Sequence, residues 1–527
     1  MDGQDKWFLT SDERGNPATS LDARHQPESW TWGNLCRVLV HGHDYFARLH
    51  DELRAARAGD TVYLTDWRSD ADERLAGVGT EVASVLRAAA ARGVAVRGLL
   101  WRSHPDAAGF SEQENLTFAE VINAAGGSVF VDERVRRAGS HHQKMFIIRH
   151  GTDAAADVAF VGGIDVAHGR HDDEGHDGDP QAITIDRRYG PRPAWHDLQV
   201  EVHGPAIGDL EHTFRERWHD PTPLTRGPWN RRLGRGAQPQ RPPALPTQPP
   251  DPPTAGTHSV QVLRSYPMRR PAYPFAPGGE RSIANAYLKA FARARSLVYI
   301  EDQYLWSIDA ADALAGALRT HPRLRVVAVV PAYPDEDGRV SGPANRICQL
   351  RVLARLRAAG GDRFAAYHLE RTDGTPIYVH AKVCIVDDVW MIAGSDNLNR
   401  RSWSHDSEVS LAIMDSQIDE RAPRDPGGLG DRARVLARTT RLNLWSEHLE
   451  HGHVPVDPAA GFDALATAAG ALDDWHIHHR GHRPPGRLRN HHPDPVPWWI
   501  KPAAEAFARL VSDPDGRPVT SRVRRRY

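Results

Sequence analysis

The chain reads as a duplicated α/β protein, and three observations say so. Strands alternate with helices in both halves, a proline-dense stretch divides the chain near its middle, and one short polar motif recurs in each half at a nearly constant offset. Alternating strands and helices imply sheets covered on both faces. Self-similarity at long range implies that one unit has been repeated.

In the first half, the periodicity predicts a helix over Tyr45 to Ala58 and a strand over Thr61 to Trp67. A second helix follows, with Thr80 as N-cap and Val82, Val85, Leu86 and Ala89 at helical spacing. Gly93 ends it, and Val94 to Trp101 reads as the next strand. The second half repeats the order. A helix over Ile283 to Arg295 keeps Ile283, Ala286, Tyr287, Ala290 and Phe291 on one face, the strand in "LVYIEDQYLW" follows, and after another helix comes the strand Leu324 to Val330. Between the halves, Pro221 to Thr257 is too rich in proline and too poor in apolar periodicity to bury a core, and reads as a linker, partly polyproline II. The expected organisation is an N-terminal extension (1–39), a first unit (40–220), the linker (221–257), a second unit (258–450) and a His/Arg-rich C-terminal extension (451–527).

The 527 residues, 40% hydrophobic and 25% charged, suit a globular protein with a sizeable core. A formal charge of −2 supplies no global positive field, which argues against nucleic acid as a partner. Cys36, Cys348 and Cys384 are too scattered for a disulfide framework or a zinc motif and suit a reducing compartment. The N-terminus lacks an apolar signal core, and no stretch approaches the roughly 18 apolar residues of a membrane span. The expectation is a cytoplasmic protein whose lipid contact, if any, is peripheral at the inner membrane face.

The chemistry lies in the repeat. "HHQKMFIIR" (His141 to Arg149) matches "VHAKVCIVD" (Val379 to Asp387), and each is an H-x-K followed by an apolar strand. Residues two apart on a strand share a face, so His380 and Lys382 aim at one point, as do His142 and Lys144. Downstream, "FVGGID" and "MIAGSDN" each end a second strand in a Gly-containing turn. The offset from Val62 to Val298 and that from His142 to His380 agree to within two residues, a register that unrelated coincidences would not keep. Two such halves facing each other set two imidazoles and two ammonium groups around one pocket, which suits a phosphodiester. One imidazole attacks phosphorus and the other protonates the leaving oxygen. The lysines, Asn397 and the turn donors balance the developing charge, with no metal and no cofactor required.

H-x-K-x(4)-D followed by G-S-x-N resembles the phospholipase D superfamily, and the second copy (His380, Lys382, Asp387, Gly394, Ser395, Asn397) matches at every position. The stretches "FVGGIDVAHGRHD", "WHDLQVEVHGPAIGDLEHTFRERW" and "VYIEDQYLW" extend the likeness toward the phospholipid-acting branch, over roughly Val40 to Leu449. The resemblance implies an α/β fold built as a duplicated αβαβα sandwich, two domains about a pseudo-twofold axis with the site between them. It implies His142 as nucleophile and His380 as general acid, with Asp387 and Gly394 as structural residues of the motif. It also implies an orienting carboxylate for each histidine, supplied by the opposite half: Asp197 for His380 and Glu408 for His142. Phosphate contacts are expected from Lys144, Lys382, Ser395, Asn397, Gly163 and Asp165. The implied reaction is phospholipid hydrolysis through a phosphohistidine, with transfer to another alcohol as a side reaction. A cardiolipin-synthase-like transferase, a superfamily nuclease and a non-catalytic phosphate binder are the alternatives. Both motifs lie in one chain, so a monomer completes the site.

The first copy departs from the pattern. Arg149 stands where the motif has Asp, and Gly163-Ile164-Asp165 replaces Ser-x-Asn. Asp153 is the expected substitute for the missing carboxylate. The stretch "HGRHDDEGHDGD" (His168 to Asp179) is dense in potential metal ligands but has no fixed ligand spacing, and reads as a solvated loop over the site. The histidine-rich tail reads as a buffering or adventitious metal-binding surface, Trp498 and Trp499 as packed onto the core rather than inserted at a lipid interface, and the closing "SRVRRRY" as a mobile basic end.

Overall fold

The computed structural model describes residues 3–102, 112–225, 238–335, 341–479, 481–523 and 527. Part of the expected linker (226–237) and three residues of the basic C-terminal end (524–526) lie outside the described residues.

Each half is built on one sheet with the same strand order. In the first, Ser128–Asp132, Ala95–Trp101 and Thr61–Asp66 run parallel. Met145–Arg149, Val158–Gly162, Leu198–His203 and Thr31–Val40 follow as antiparallel neighbours. In the second, Phe364–Glu370, Arg325–Val329 and Leu297–Asp302 are parallel. Lys382–Val386, Trp390–Gly394, Glu408–Asp415 and His258–Tyr266 follow antiparallel. Every strand of the first sheet thus has a counterpart at the same place in the second. The last strands of the two sheets touch, Thr31 opposite Val260 and Asn34 opposite His258.

Helices cover the outer faces. His41–Ala55, Val82–Ala91 and Glu112–Asn123 pack on the first sheet, and Ser282–Arg293, Ile308–Thr320 and Ser341–Gly360 on the second. The inner faces meet in one core, where Met145, Ile147, Val161 and Val200 face Val383, Ile385, Ala393 and Leu411. Helices Ala206–Trp218 and Val435–His448 enter this middle layer through Leu210, Phe214, Trp218, Leu444 and Trp445. The layers are helix, sheet, helix, sheet, helix: a duplicated αβαβα sandwich. Alternation along each strand explains it, since one set of side chains goes to the outer helices and the other to the shared core.

Several expectations shift. Thr80 does not cap its helix: its hydroxyl donates to Gly77 O, and the helix starts at Val82 after Glu81, whose side chain forms no cap. The strand Thr31–Val40 ends where the first unit was expected to begin, yet Leu35 to Val40 pair with Leu198–His203 of that unit. Trp7, Phe8 and Leu9, in the expected extension, pack against the outer core of the second half. The proline-rich strap is pinned down. Trp218 Nε1 donates to Pro243 O (2.7 Å), Arg215 Nη1 to Pro246 O (2.6 Å) and Arg149 Nη2 to Pro250 O (2.7 Å). Chain that cannot donate still accepts, so arginine and tryptophan donors take up its carbonyls. In the tail, Trp498 and Trp499 are 80% and 66% exposed rather than packed away. Tyr527 is anchored instead, donating to Asp309 Oδ2 (2.6 Å) and meeting the Trp403 ring edge-on.

Candidate active site

The two halves exchange strands at their interface, and that exchange builds the site. Pro376–Val379 of the second half pairs in parallel with Ala194–His196 of the first, and His141 bridges Ser407 in the same sense. The backbone amide of His380 then donates to His196 O (2.7 Å) and that of His142 to Ser407 O (2.9 Å). Residue 197 follows 196 and residue 408 follows 407, so each histidine receives a carboxylate from the opposite half. His380 Nδ1 lies 2.6 Å from Asp197 Oδ2, and His142 Nδ1 lies 2.8 Å from Glu408 Oε2. Nδ1 is thereby committed to the carboxylate and Nε2 is left to the pocket. Contrary to the sequence reading, the histidines are not within the strands. The strand Lys382–Val386 begins at the lysine, and His380 sits in the joint where the amides of 380 and 381 both point at His196 O.

The lysines follow the same symmetry. Lys144 Nζ reaches back to His142 O (3.4 Å), and Lys382 Nζ makes the equivalent bond to His380 O. They differ beyond that. Lys144 pairs with Asp165 at 3.1 Å, whereas Lys382 donates to the neutral Gln303 Oε1 at 3.3 Å. Burial first, and then the ammonium groups of both lysines, hold each imidazole well below its ordinary pKa. That shared influence marks the four groups as neighbours. Burial also brings Lys382 down to about 8 and pushes Glu408 up to about 8. Asp197 is likewise raised, mainly by burial. Burial alone would raise Asp165 too, but Lys144 and Arg170 outweigh it and hold it low.

The turns are explained by close approaches. A Cβ on Gly163 would stand 2.2 Å from Asp197 Oδ1, so the serine of the motif has no room in this half. In the other half the longer Glu408 leaves space, and Ser395 Oγ donates to Glu408 Oε2 at 2.6 Å. Ser395 therefore holds the orienting carboxylate. Asn397 is 3% exposed, and its Oδ1 has no hydrogen-bond partner. Gly394 is equally constrained, since a Cβ there would meet Ser410 Oγ at 2.1 Å.

Asp387 anchors its loop by accepting from the amides of Arg295, Ser296 and Leu297, each at 2.8 Å. The first half solves the same problem with opposite charge. Arg149 lies between Asp157 (2.7 Å) and Glu211 (2.5 Å), while Asp60 takes the amide of Gly151 (2.9 Å) and Asp157 that of His150 (2.6 Å). Asp153 plays no part. It caps a short turn by accepting from Ala155 N and is exposed.

The sequence reading missed a shell of residues around the pocket. Arg170 stacks on Trp195 at 4.1 Å, sets Nη2 3.5 Å from Asp165 Oδ2 and adds to the positive field on His380. Trp195 packs on the His380 ring at 4.9 Å, and Trp67 stands edge-on to His142 at 6.2 Å. Asp66 and Asp302, at the ends of the repeated VYLTD and VYIED strands, hold the turns through Val166 N (3.0 Å) and Leu398 N (2.7 Å). Only the repetition of that aspartate was a signal in the sequence. The stretch His168 to Asp179 is only partly solvated: Asp173, Glu174 and Asp177 are exposed, but His176 is fully buried and Asp172 and Asp179 nearly so. Among the described residues, the histidine and carboxylate groups at metal-ligand spacing are His41, His176, His196 and Glu447, and His196, Glu301 and His448, sets that include neither His142 nor His380. Among the same residues, no helix is long and apolar enough to cross a membrane.

Comparison with known proteins agrees with this architecture. A family model described as phospholipase D matches residues 58–310, and one described as cardiolipin synthase, PLD-like domain, matches 287–424. Phospholipase D alpha 1 of Cynara cardunculus is 26% identical over 62% of this chain and 50% of its own length. Phospholipase D alpha 1 of Oryza sativa subsp. japonica is 25% identical over 75% of this chain and 62% of its own. The chain thus spans between half and two thirds of the curated relatives it matches. Among solved structures, phosphatidylserine synthase of Haemophilus influenzae superposes with a TM-score of 0.50 at 16% identity, covering 84% of this chain and 94% of that one, which speaks to the fold. With the doubled H-x-K motif, the duplicated sandwich and the two family matches in hand, this chain belongs to the phospholipase D superfamily.

Proposed function

We propose that the protein cleaves the phosphodiester of a glycerophospholipid, releasing the headgroup alcohol and leaving phosphatidic acid. The observation that carries this reading is the pair of crossed dyads, His142–Glu408 and His380–Asp197, sharing one pocket with Lys144 and Lys382. His142, kept neutral, directs the Nε2 lone pair at phosphorus, and a phosphorus–nitrogen bond forms as the bond to the headgroup oxygen breaks. His380 gives its Nε2 proton to that oxygen. It then takes a proton from a water molecule whose oxygen attacks phosphorus, displacing His142. The two lysines, Arg170 and Asn397 offset charge on the phosphoryl oxygens.

The lowered imidazole of His380 fits this order. In the free site three cations discourage its protonation, and a bound phosphodiester cancels part of their field, so the acid is armed when substrate arrives. Gln303, which holds Lys382, also lines a cleft of about 550 Å³ with Tyr304, Trp306, Tyr333 and Gln349, a suitable seat for part of the lipid. The match of residues 287–424 to the cardiolipin synthase model favours a second reading, in which a lipid alcohol replaces water in the second step.

Purified protein incubated with phospholipids of different headgroups, with and without ethanol, separates the readings. Phosphatidic acid alone indicates hydrolysis, phosphatidylethanol indicates open transfer, and a product carrying two phosphatidyl groups indicates synthase chemistry. No turnover of any phospholipid, together with cleavage of bis-nitrophenyl phosphate or oligonucleotides, would overturn the lipid assignment. The reading takes the site to work in a monomer, at most peripherally bound to the cytoplasmic face of a membrane.

A further inference from the structure

Directly behind Asp197, three histidines from distant parts of the chain converge on one carboxylate. His41 Nε2 lies 3.1 Å from Glu447 Oε2, His176 Nε2 lies 3.1 Å from Glu447 Oε1, and His196 Nδ1 lies 3.2 Å from the same Oε1. All four residues are at least nine-tenths buried, His176 and His196 completely. His196 Nδ1 is aimed into the cluster without making a hydrogen bond there. We infer that His41, His176, His196 and Glu447 form a closed, four-coordinate site for a divalent transition metal such as zinc.

The geometry carries the assignment. Ligands about 2.0–2.1 Å from a tetrahedral zinc are separated by about 3.3 Å, close to the 3.1 and 3.2 Å from His176 Nε2 and His196 Nδ1 to Glu447 Oε1, and one donor atom from each of the four residues lies within 4.8 Å of the others. Imidazoles on such an ion hold ring centres about 5 Å apart and inclined to one another. The rings of His41 and His176 are 4.9 Å apart, those of His41 and His196 5.1 Å, and those of His176 and His196 5.9 Å, with interplanar angles of 89°, 73° and 55°.

The surroundings have the pattern of a metal's outer shell, in which a ligating histidine gives its other N–H to a carboxylate. His196 Nε2 lies 2.8 Å from Glu301 Oε2, which fixes the tautomer with a free lone pair on Nδ1. His176 Nδ1 faces Asp172 Oδ2 at 3.5 Å, leaving Nε2 for the cluster. Glu301 is itself held by Tyr299 and by His448 Nε2, the latter at 2.8 Å. His41 and His176 both adopt left-handed backbone, φ 72° and 58°, which costs a non-glycine residue and is kept here at two of the four ligands. Access is provided by a cleft of about 830 Å³, where His41 and Glu447 meet Asp44, Asp173, Glu174 and Asp177, an acidic mouth that favours cations.

The other half shows what the position looks like without a metal. Ser407 is the counterpart of His196, since each lends its carbonyl to the amide of a motif histidine. There Arg217 donates to Ser407 Oγ (3.0 Å) and Asp132 Oδ2 (2.9 Å), a plain ion pair. The metal site is structural: it ties His41, whose amide donates to Asp197 O (2.8 Å), and His196 to the loop of His176 and the helix of Glu447, and so holds the strand that presents Asp197 to His380.

The test uses the full chain purified without a polyhistidine tag, supplied with zinc and dialysed against a weak chelator. About one zinc per chain is expected in the parent protein, falling to about a tenth or less in His176→Ala and in His41→Ala. A His478→Ala/His479→Ala double variant in the histidine-rich tail should keep the metal. Cobalt added to metal-free protein should give the visible absorption of a tetrahedral ion, a reading that needs no variant to fold. A parent protein that binds no zinc, zinc retained by His176→Ala but lost from the tail variant, or a cobalt spectrum of octahedral type would each overturn the assignment. Metal content and spectrum are read without substrate, so they stand or fall apart from the lipid reaction.

Discussion

Replacing Asp197 by Asn separates the roles of the two histidines. Asp197 Oδ2 sits 2.6 Å from His380 Nδ1, its Oδ1 accepts from Leu198 N (2.8 Å), and the residue is fully buried. Asparagine keeps the volume and the bond to Leu198, but it turns an amide N–H toward Nδ1 and removes the negative charge that stabilises the imidazolium. At about 4 Å between charge centres and an effective dielectric of about 20, that charge is worth about 4 kcal/mol. At about 1.4 kcal/mol per decade this is roughly a thousandfold in the step that uses protonated His380. The assay compares two phosphodiesters in single turnover, one leaving as an aliphatic alcohol and one as nitrophenolate. The first needs a proton on its leaving oxygen and the second does not. Asp197→Asn should therefore slow the alcohol substrate by about a thousandfold and the nitrophenyl substrate by less than about tenfold in the first step. Glu408→Gln, acting on the attacking His142, should slow both. Equal losses on both substrates from Asp197→Asn would refute the assignment of His380 as the acid.

His142→Ala and His380→Ala should each lower kcat by at least about a thousandfold, and trapping with an alkaline denaturing quench, which preserves the phosphorus–nitrogen bond, should find no phosphohistidine in the His142 variant; a covalent intermediate surviving there would move the nucleophile elsewhere. Lys382 is cationic below its lowered value of about 8, so kcat/KM should fall as pH rises through about 8. Lys382→Arg should carry that basic limb upward, and an unmoved limb would assign it to another group. Arg149→Asp, which restores the sequence motif, should cost about 3–5 kcal/mol in urea denaturation, because Asp157 and Glu211 would lose their shared partner. A loss below about 1 kcal/mol would mean that the arginine is not the anchor of its loop.

Much of the fold was legible because its signals are local. The strand–helix alternation, the doubled H-x-K and the offset between copies survive in any stretch of text that includes them; they were enough for a duplicated α/β protein and to single out His142, Lys144, His380 and Lys382, while the layered sandwich came with the family resemblance. Helix ends were read less well, as at Thr80, because a capping residue competes with turns that also use its hydroxyl. The inverted charge at Arg149 was legible as a departure but not as a solution, since its partners lie on a different strand end and a different helix.

By itself the sequence determined which side chains are the candidates for chemistry, because imidazole, ammonium and their spacing are written residue by residue. The crossed pairing of Asp197 with His380 and Glu408 with His142 was already implied by the family resemblance, and the structure supplies its geometry. Only the tertiary structure decided that Gly163 yields to Asp197, that Arg170 and Trp195 stand beside His380, and that His41, His176, His196 and Glu447 meet. Those outcomes depend on strands exchanged between halves and on separations of a few ångströms between residues far apart along the chain, and no periodicity records them.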